Sequence, residues 1–505
     1  MDVPTIAVNR FGLGRRPWEA APTAPRQWLK DQLTHFDPDL PDRGTIATRA
    51  AIAEDLAAYR RQQQELRREG FGKKPAAPTT GVAMAPGAAA VMPAAAPAVM
   101  RADPQADPRK ALRVETRQFA REQYIGQVGI RLRSAVASDT PFVERLCHFW
   151  ANHFAVSADK LQSIAFTGLL EFEAVRPHVL GRFEDMLVAV EKHPAMLLYL
   201  DQAQSIGPDS LVGSRAGARG RKVGLNENLG REIMELHTLG VRSGYGQADV
   251  TEFARALTGW TVAGLGVGPL AKAMEGTTPA GDFLFAAPLH EPGSRTILGK
   301  AYPQPGEAQA RSVLADLARH PATAHHLSLK LARHFVADEP PPALVARLEK
   351  AWLGSNGDLP TVYRALIDAP EAWAPAPAKF RDPWLWSVAA FRAVSTPQRE
   401  LPFNLPDRLA AGTLDQLGQP VWRPGSPAGW DDVAASWAAP DALMRRVELA
   451  TRLAAQVPAG TDARVLAPVL FGSALSPATK AAIAGAESPR QALSLLLVAP
   501  EMLRA

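Results

Sequence analysis

The chain has a single cysteine, Cys147, among its 505 residues. One cysteine cannot form a disulfide within the chain, so the packing of the core must hold the fold. The sequence also contains no Cys-x-x-Cys, His-Glu-x-x-His or Gly-x-Ser-x-Gly pattern. The common zinc and serine-hydrolase motifs are therefore excluded. Cys147 stands within an apolar helical stretch and is interpreted as a packing residue.

Long hydrophobic runs and a strong charge imbalance are lacking as well. No stretch approaches the ~18 consecutive apolar residues of a membrane-spanning helix. The first residues, MDVPTIAVNRFGLGRRP, do not have the basic and apolar regions of a secretory signal, so cytoplasmic residence is the expectation from sequence. The net charge of +5 is small for this length, and we expect no nucleic-acid partner.

What the chain has in abundance is helical periodicity, with 47% hydrophobic residues. Residues 75–108 differ, because 13 alanines and 7 prolines leave little to bury and the prolines interrupt any helix. We predict a mainly α fold. Its expected parts are an N-terminal helical segment (1–74), a disordered linker (75–108), a main helical core (109–375) with a small β appendage (261–303), and a C-terminal helical segment packed on the core (376–505).

The segment from Gly224 to Gly240 reads as a helix with a carboxylate on its apolar side. At about 100° per residue, Glu232 falls within an arc of leucines, and Asn228 and Glu235 lie at its edge. A buried ionised carboxylate costs several kcal/mol unless it is paired. Three interpretations follow for Glu232: a protonated catalytic acid, a metal ligand with Glu235 and a histidine from another helix, or a structural ion pair. The arginines considered for the pair are Arg231, Arg255 and Arg295.

Histidines supply the other ionisable groups. A helix is predicted at 141–154, with Thr140 as its N-cap and Pro141 in its first turn. His153 lies on its apolar face and is predicted to be buried, whereas His148 points to the opposite, solvated side. His153 is either a hydrogen-bonded core residue or a metal-binding or acid–base residue. His237, near the end of the Glu232 helix, is interpreted as a capping residue.

A loop next to the predicted β appendage carries His290 and Glu291. Such a loop is either a plain turn or a contributor to a site, because loops on rigid scaffolds often carry function. The sequence thus gives Glu232, His153 and His290 as candidate catalytic residues, and Glu232, Glu235 and His153 as candidate metal ligands. No cofactor is identified, although a divalent metal is one hypothesis.

Several segments together resemble a bacterial family known as domain of unknown function 1800. They are NRFGLGRRP, FWANHFAVS, the long stretch GLNENLGREIMELHTLGVRSGYGQADVTEFARALTGW, HEPGSRTILG, LARHFVADEPPPALV, PAGWDD and SLLLVAPEM. Gly246, where a helix-capping threonine is usual, and Glu291, where aspartate is common, depart from the family pattern. The resemblance implies a mainly helical fold. It also implies a companion protein of the domain of unknown function 1501 family, and export of some members, which makes a periplasmic or exported location the alternative to the cytoplasm.

Two functions remain open from sequence. The first is an enzyme with a carboxylate and histidine site between helices, with or without a metal. The alternative is a helical scaffold or partner-binding protein in which the same polar residues form a structural hydrogen-bond network.

Overall fold

The computed structural model describes residues 1–71, 107–221, 224–265, 278–397, 407–458 and 460–505. It confirms the mainly α prediction. The first helices are Val3–Ile6, Pro25–His35, Arg49–Arg68, Pro108–Ala137, Pro141–His153, Leu161–Ile164 and Thr167–Leu170. Those of the middle are Phe183–Glu191, Pro194–Tyr199, Leu211–Gly217, Asn228–Glu232, Gln247–Leu257, Glu307–Arg319, Pro321–Phe335, Pro342–Ser355 and Leu359–Asp368. The last are Pro383–Val394, Asp407–Gln416, Ala434–Trp437, Pro440–Gln456, Ala463–Phe471, Pro477–Ala484, Pro489–Leu497 and Pro500–Leu503.

Proline in the first turn is the recurrent helix start, because its missing N–H would have no helical partner there. Two examples are Pro108, which follows Asp107 as N-cap, and Pro141. The helix predicted at 141–154 is present as Pro141–His153, but Thr140 makes no side-chain capping bond. The described part of the chain contains no helix that is long and apolar enough to span a bilayer.

Two small antiparallel sheets form the predicted β appendage. In the first, β1 (Trp260–Val262) pairs with β2 (Phe283–Phe285), with Trp260 opposite Phe285. In the second, β3 (Arg295–Ile297) pairs with β4 (Lys300–Tyr302). Each strand has three residues, so the sheets are stabilised by packing against helices rather than by their own ladders.

The predicted linker at 75–108 lies almost wholly outside the described residues. Its last two residues, Asp107 and Pro108, are the exceptions. Pro108 begins a helix of 30 residues, so regular structure starts before the predicted boundary at 109.

Buried arginines join the N-terminal segment to distant parts of the chain. Arg10 donates to three carbonyl oxygens within residues 372–376. Arg145 donates to the carbonyl oxygens of Arg10 and His334, and Arg392 donates to four carbonyl oxygens near the chain start and the end of the Pro108–Ala137 helix. Each guanidinium supplies several donors to oxygens that the core would otherwise leave unpaired. The bond from Arg145 also holds His334, which lines the cavity described below.

Candidate functional site

Glu232 is half-buried, and the core-facing side of its helix is a different one from that predicted. The buried residues are Leu229, Gly230, Ile233, Met234 and His237, whereas Leu225 and Leu236 are only partly covered. The helix also widens into a π-helical turn at Ile233–His237, where a constant 100° per residue no longer holds. The prediction that Glu232 stands at the centre of a core face is therefore wrong.

The Glu232 carboxylate has no hydrogen bond or ion pair within the described residues. Burial raises its pKa, and the nearby His237 opposes that rise. Glu235 lies 3.5 Å from Arg231, the surface pairing that four-residue spacing favours. Glu235 is therefore paired at the surface, whereas Glu232 is not.

His237 is the buried ionisable residue of this helix. Its Nδ1 lies 2.7 Å from Oε1 of Glu191, and both side chains are fully buried. The other polar atoms of the pair, Nε2 of His237 and Oε2 of Glu191, have no partner in the described chain. The interpretation of His237 as a capping residue is wrong, because a carboxylate from another helix holds it inside the core.

His153 is buried, as predicted, and both of its ring nitrogens are occupied. Nε2 lies 3.1 Å from the carbonyl oxygen of His237, and Nδ1 lies 2.9 Å from Nζ of Lys330. Burial, followed by the charge of Lys330, lowers the pKa of His153 well below its usual value, and burial lowers that of Lys330 to about 8. The ring is a neutral donor to the carbonyl and an acceptor from the lysine, with no lone pair left for a substrate or a metal.

His290 lies in a separate place, against the β appendage. Its Nδ1 is 2.9 Å from the carbonyl oxygen of Thr258, and its ring meets that of Phe285 edge to face. Glu291 is buried, and its Oε2 accepts the backbone N–H of Asp209 at 2.8 Å. No contact in the described chain joins His290 to Glu232 or to His153, and no group of three or more histidine, cysteine, aspartate or glutamate side chains there is arranged to hold a metal ion.

A cavity of about 60 Å³ lies elsewhere, where the Pro141–His153 helix meets the segment from 419 to 432. It has room for a few water molecules or one small polar molecule. Its aromatic walls are Phe149, Trp384, Trp422 and Trp430. Its polar lining is Arg131, His148, Asn152, His334, Asp382, Gln419, Asp431 and Asp432. Apolar walls with a few convergent polar groups are typical of a small-molecule site.

Arg131 is fixed on the cavity wall. Its Nε lies 2.8 Å from Oε2 of Glu171, and its guanidinium carbon lies over the rings of Trp384 and Trp422, 4.2 and 5.2 Å from their centroids. Trp422 itself adopts φ +49°, which is a strained conformation for a bulky residue, and donates its Nε1–H to Glu171. Arg131 is 7% exposed, and its two terminal nitrogens have no hydrogen bond to any described residue.

His148 is buried beside Arg131, so the prediction that it is solvated is wrong. Its Nδ1 accepts the Nε1–H of Trp384 at 3.1 Å, which places the proton of the neutral ring on Nε2. Nε2 is 3.3 Å from Oε1 of Glu144 but is not aligned for a hydrogen bond. Burial alone would raise the pKa of Glu144, but Arg176, 2.9 Å from both of its oxygens, lowers it to about 2.

Asn152 binds the tryptophan-rich segment to the helix. Its Oδ1 accepts the backbone N–H of Trp430 at 2.8 Å, and its Nδ2 donates to the carbonyl oxygen of the same residue at 2.9 Å. Gly429 makes this approach possible, because a Cβ there would lie 2.2 Å from the carbonyl oxygen of Asn152. The indole Nε1 of Trp430 is buried without a partner in the described chain.

Asp432 and His334 form a saturated network at one end of the cavity. Asp432 Oδ2 is 2.7 Å from Nδ1 of His334, and its Oδ1 is 2.9 Å from Nζ of Lys379. Nε2 of His334 accepts from Nε of Arg145 at 3.1 Å. Burial alone would raise the pKa of Asp432, but His334 and Lys379 hold it far below its usual range. These residues position the site and leave no free atom for a substrate.

Sequence reasoning missed this cavity, although its parts were visible. Phe149 and Asn152 belong to FWANHFAVS, His334 to LARHFVADEPPPALV, and Trp430 and Asp432 to PAGWDD. The contacts between the segments join residues 98 to 278 positions apart, and only the fold brings them together. The signal that was available was the run of tryptophans, prolines and glycines at 421–432.

The chain belongs to the family described as protein of unknown function (DUF1800), whose model matches residues 6–504. No curated protein and no solved structure matches it. The resemblance identified from the sequence motifs is thereby confirmed.

Proposed function

We propose that this member of the DUF1800 family binds a small molecule in the tryptophan-lined cavity and acts on it as an enzyme. The site still joins carboxylates and histidines between helices, but at a different place from the Glu232 helix. One observation carries the proposal: Arg131 is nearly buried, is fixed by Glu171 and two tryptophans, and yet has two terminal nitrogens without a protein partner. Both nitrogens reach accessible space in the cavity, so a bound ligand can replace water as their partner.

The free polar atoms of the cavity define the chemistry that is proposed. Donors are available from the terminal nitrogens of Arg131, and Trp430 contributes an aromatic wall. The exposed carboxylate of Asp431 accepts from Ser436 through Oδ2 and keeps Oδ1 free. Asp431 is the group proposed to transfer a proton, and Arg131 the group proposed to stabilise negative charge on the bound molecule.

For the buried polar residues His153, His237 and Glu191, which lie outside the cavity, the scaffold hypothesis is favoured. His153 has both nitrogens bonded, and the His237–Glu191 pair is closed to solvent. A role of these residues in fixing how the helices pack is the better-supported proposal for them. A catalytic or metal-binding role for Glu232, His153 and His290 would need a rearrangement that brings them together.

The test is a binding screen by thermal shift and ligand-observed NMR, with small carboxylates, phosphates, amines, polyols and amino acids. Trp430→Phe removes part of one aromatic wall of the cavity, and is expected to weaken binding of a hit about fivefold to tenfold. Trp18→Phe is the matched control, because Trp18 is 39% exposed and lies outside the cavity. Equal affinities of both variants and the unaltered protein for every hit would contradict the proposal, as would the absence of any hit.

The resemblance also suggests a companion of the domain of unknown function 1501 family, and export as the alternative to cytoplasmic residence. We include the companion protein and the exported location in the proposal. Co-expression of the two proteins followed by size-exclusion chromatography tests the first, and fractionation of the producing cell tests the second.

A further inference from the structure

We infer that the ligand of the cavity is a small zwitterion of the amino-acid type, which carries one carboxylate and one ammonium group. The inference rests on the proposed function and names the class of molecule bound at that site. It follows from which polar atoms around the cavity are free and which are already occupied.

The free donors suit a carboxylate. The two terminal nitrogens of Arg131 lie in one plane, and this fork matches the two oxygens of a carboxylate. The contact between Nε and Glu171 fixes the fork, and the rings of Trp384 and Trp422 restrict its movement. Trp430 adds an aromatic wall to the same cavity.

The free acceptors suit an ammonium group. Asp382 uses Oδ1 to cap the Pro383–Val394 helix through the N–H of Leu385, and its Oδ2 has no hydrogen bond within the described chain. Asp431 likewise keeps one oxygen free. Asp432 contributes no free acceptor, because Lys379 and His334 occupy both of its oxygens.

The charges of the lining select between ligand classes. A dianion such as a phosphate monoester or a dicarboxylate would meet one arginine in the described lining, Arg131, whose charge Glu171 already balances, with Asp382 and Asp431 on the same lining. A simple amine would leave the arginine fork unpaired. A molecule with both groups satisfies the donors and the acceptors together, and the aromatic walls accommodate an apolar side chain.

The experiment compares each amino acid with its two halves by isothermal titration calorimetry on the full chain. One series is glycine, acetate and methylamine, and the other is alanine, propionate and ethylamine, which are small molecules suited to a cavity of about 60 Å³. We expect at least one amino acid to bind ten times more tightly than either of its halves. Equal or tighter binding of a carboxylate or an amine alone would overturn the inference.

Two variants identify the contacts. Asp431→Asn is expected to weaken binding of the amino acid while binding of the matching carboxylate is not weakened; part of the preference for the amino acid remains, because Asp382 still offers an acceptor. Asp415→Asn is the control, since Asp415 is exposed and lies outside the cavity. Arg131→Lys keeps the charge without the fork and is expected to weaken binding of both the amino acid and the carboxylate. An unchanged amino-acid affinity in Asp431→Asn or Arg131→Lys would overturn the inference.

Failure of the inference is distinguishable from failure of the proposed function. If a polyol or a phosphate binds, and Trp430→Phe weakens that binding, the cavity is a ligand site of another class and only the inference fails. If no compound of any class binds, both fail.

Discussion

Replacement of Asp432 by asparagine tests how strongly the cavity is built into the fold. Both partners of the carboxylate, Nδ1 of His334 and Nζ of Lys379, are donors, at 2.7 and 2.9 Å. An asparagine has one oxygen for them and turns its NH₂ toward the other. Loss of a charged buried contact costs about 2 to 4 kcal/mol of unfolding free energy. Lys379, which is 2% exposed, keeps Asp338 at 2.9 Å, so the lower part of this range is expected.

The assay is urea unfolding followed by circular dichroism at pH 7, with Asp431→Asn as the matched control on the neighbouring exposed carboxylate. The pH dependence gives a second readout. The pKa of Asp432 is lowered in the folded chain, so its contribution is present above its unfolded pKa of about 4 and is lost as the pH falls below that value. The difference between the original protein and Asp432→Asn should therefore shrink between pH 6 and pH 3. A cost below about 0.5 kcal/mol, or a difference that does not change with pH, would refute the reasoning.

Three other predictions concern stability and use the same assay. Gly429→Ala, at φ +80°, places a Cβ 2.2 Å from a carbonyl oxygen and should cost at least about 2 kcal/mol of unfolding free energy. Gly425→Ala, at φ +77° in open space, should cost about 1 kcal/mol, and equal costs of the two variants would contradict the close approach at Gly429. Glu232→Gln should leave stability unchanged or raise it, because the carboxylate is unpaired and its pKa is raised. His237→Gln should cost about 2 kcal/mol, because it removes a bond to the buried carboxylate of Glu191, and a larger cost for Glu232→Gln than for His237→Gln would contradict these roles. Burial lowers the pKa of His153 below its unfolded value of about 6.5, so below that pH the unfolded chain binds a proton that the folded chain does not. Stability should therefore fall as the pH drops from about 7.5 to about 5.5, and a flat profile would contradict a neutral His153 ring.

The sequence predicted the helical class, the β appendage and the burial of His153, because these depend on local periodicity and composition. It placed Glu232 wrongly for a physical reason. Only part of the leucine arc packs on the core: Leu229 and Leu239 are buried, whereas Leu225 and Leu236 are partly exposed. Gly230 allows the Gln247–Leu257 helix to approach, since a Cβ at Gly230 would lie only 3.3 Å from the backbone nitrogen of Ala254. Ile233 and His237 are buried as well, beyond the edge of the predicted arc.

The cavity could not be predicted from local patterns. His148 was expected to face solvent, because the helical wheel of Pro141–His153 does not show that Trp384 covers its second face. Arg131 had no distinguishing motif at all. What makes it noteworthy is the combination of Glu171, Trp384 and Trp422 around it, and these residues come from three other parts of the chain.

The most direct test of the central claim is a crystal structure of the protein soaked with the tightest-binding compound of the screen. We predict density for that compound in the cavity, within hydrogen-bond distance of the terminal nitrogens of Arg131 and in contact with the ring of Trp430. A compound bound elsewhere, with the cavity holding only water, would contradict the claim that this cavity is the functional site.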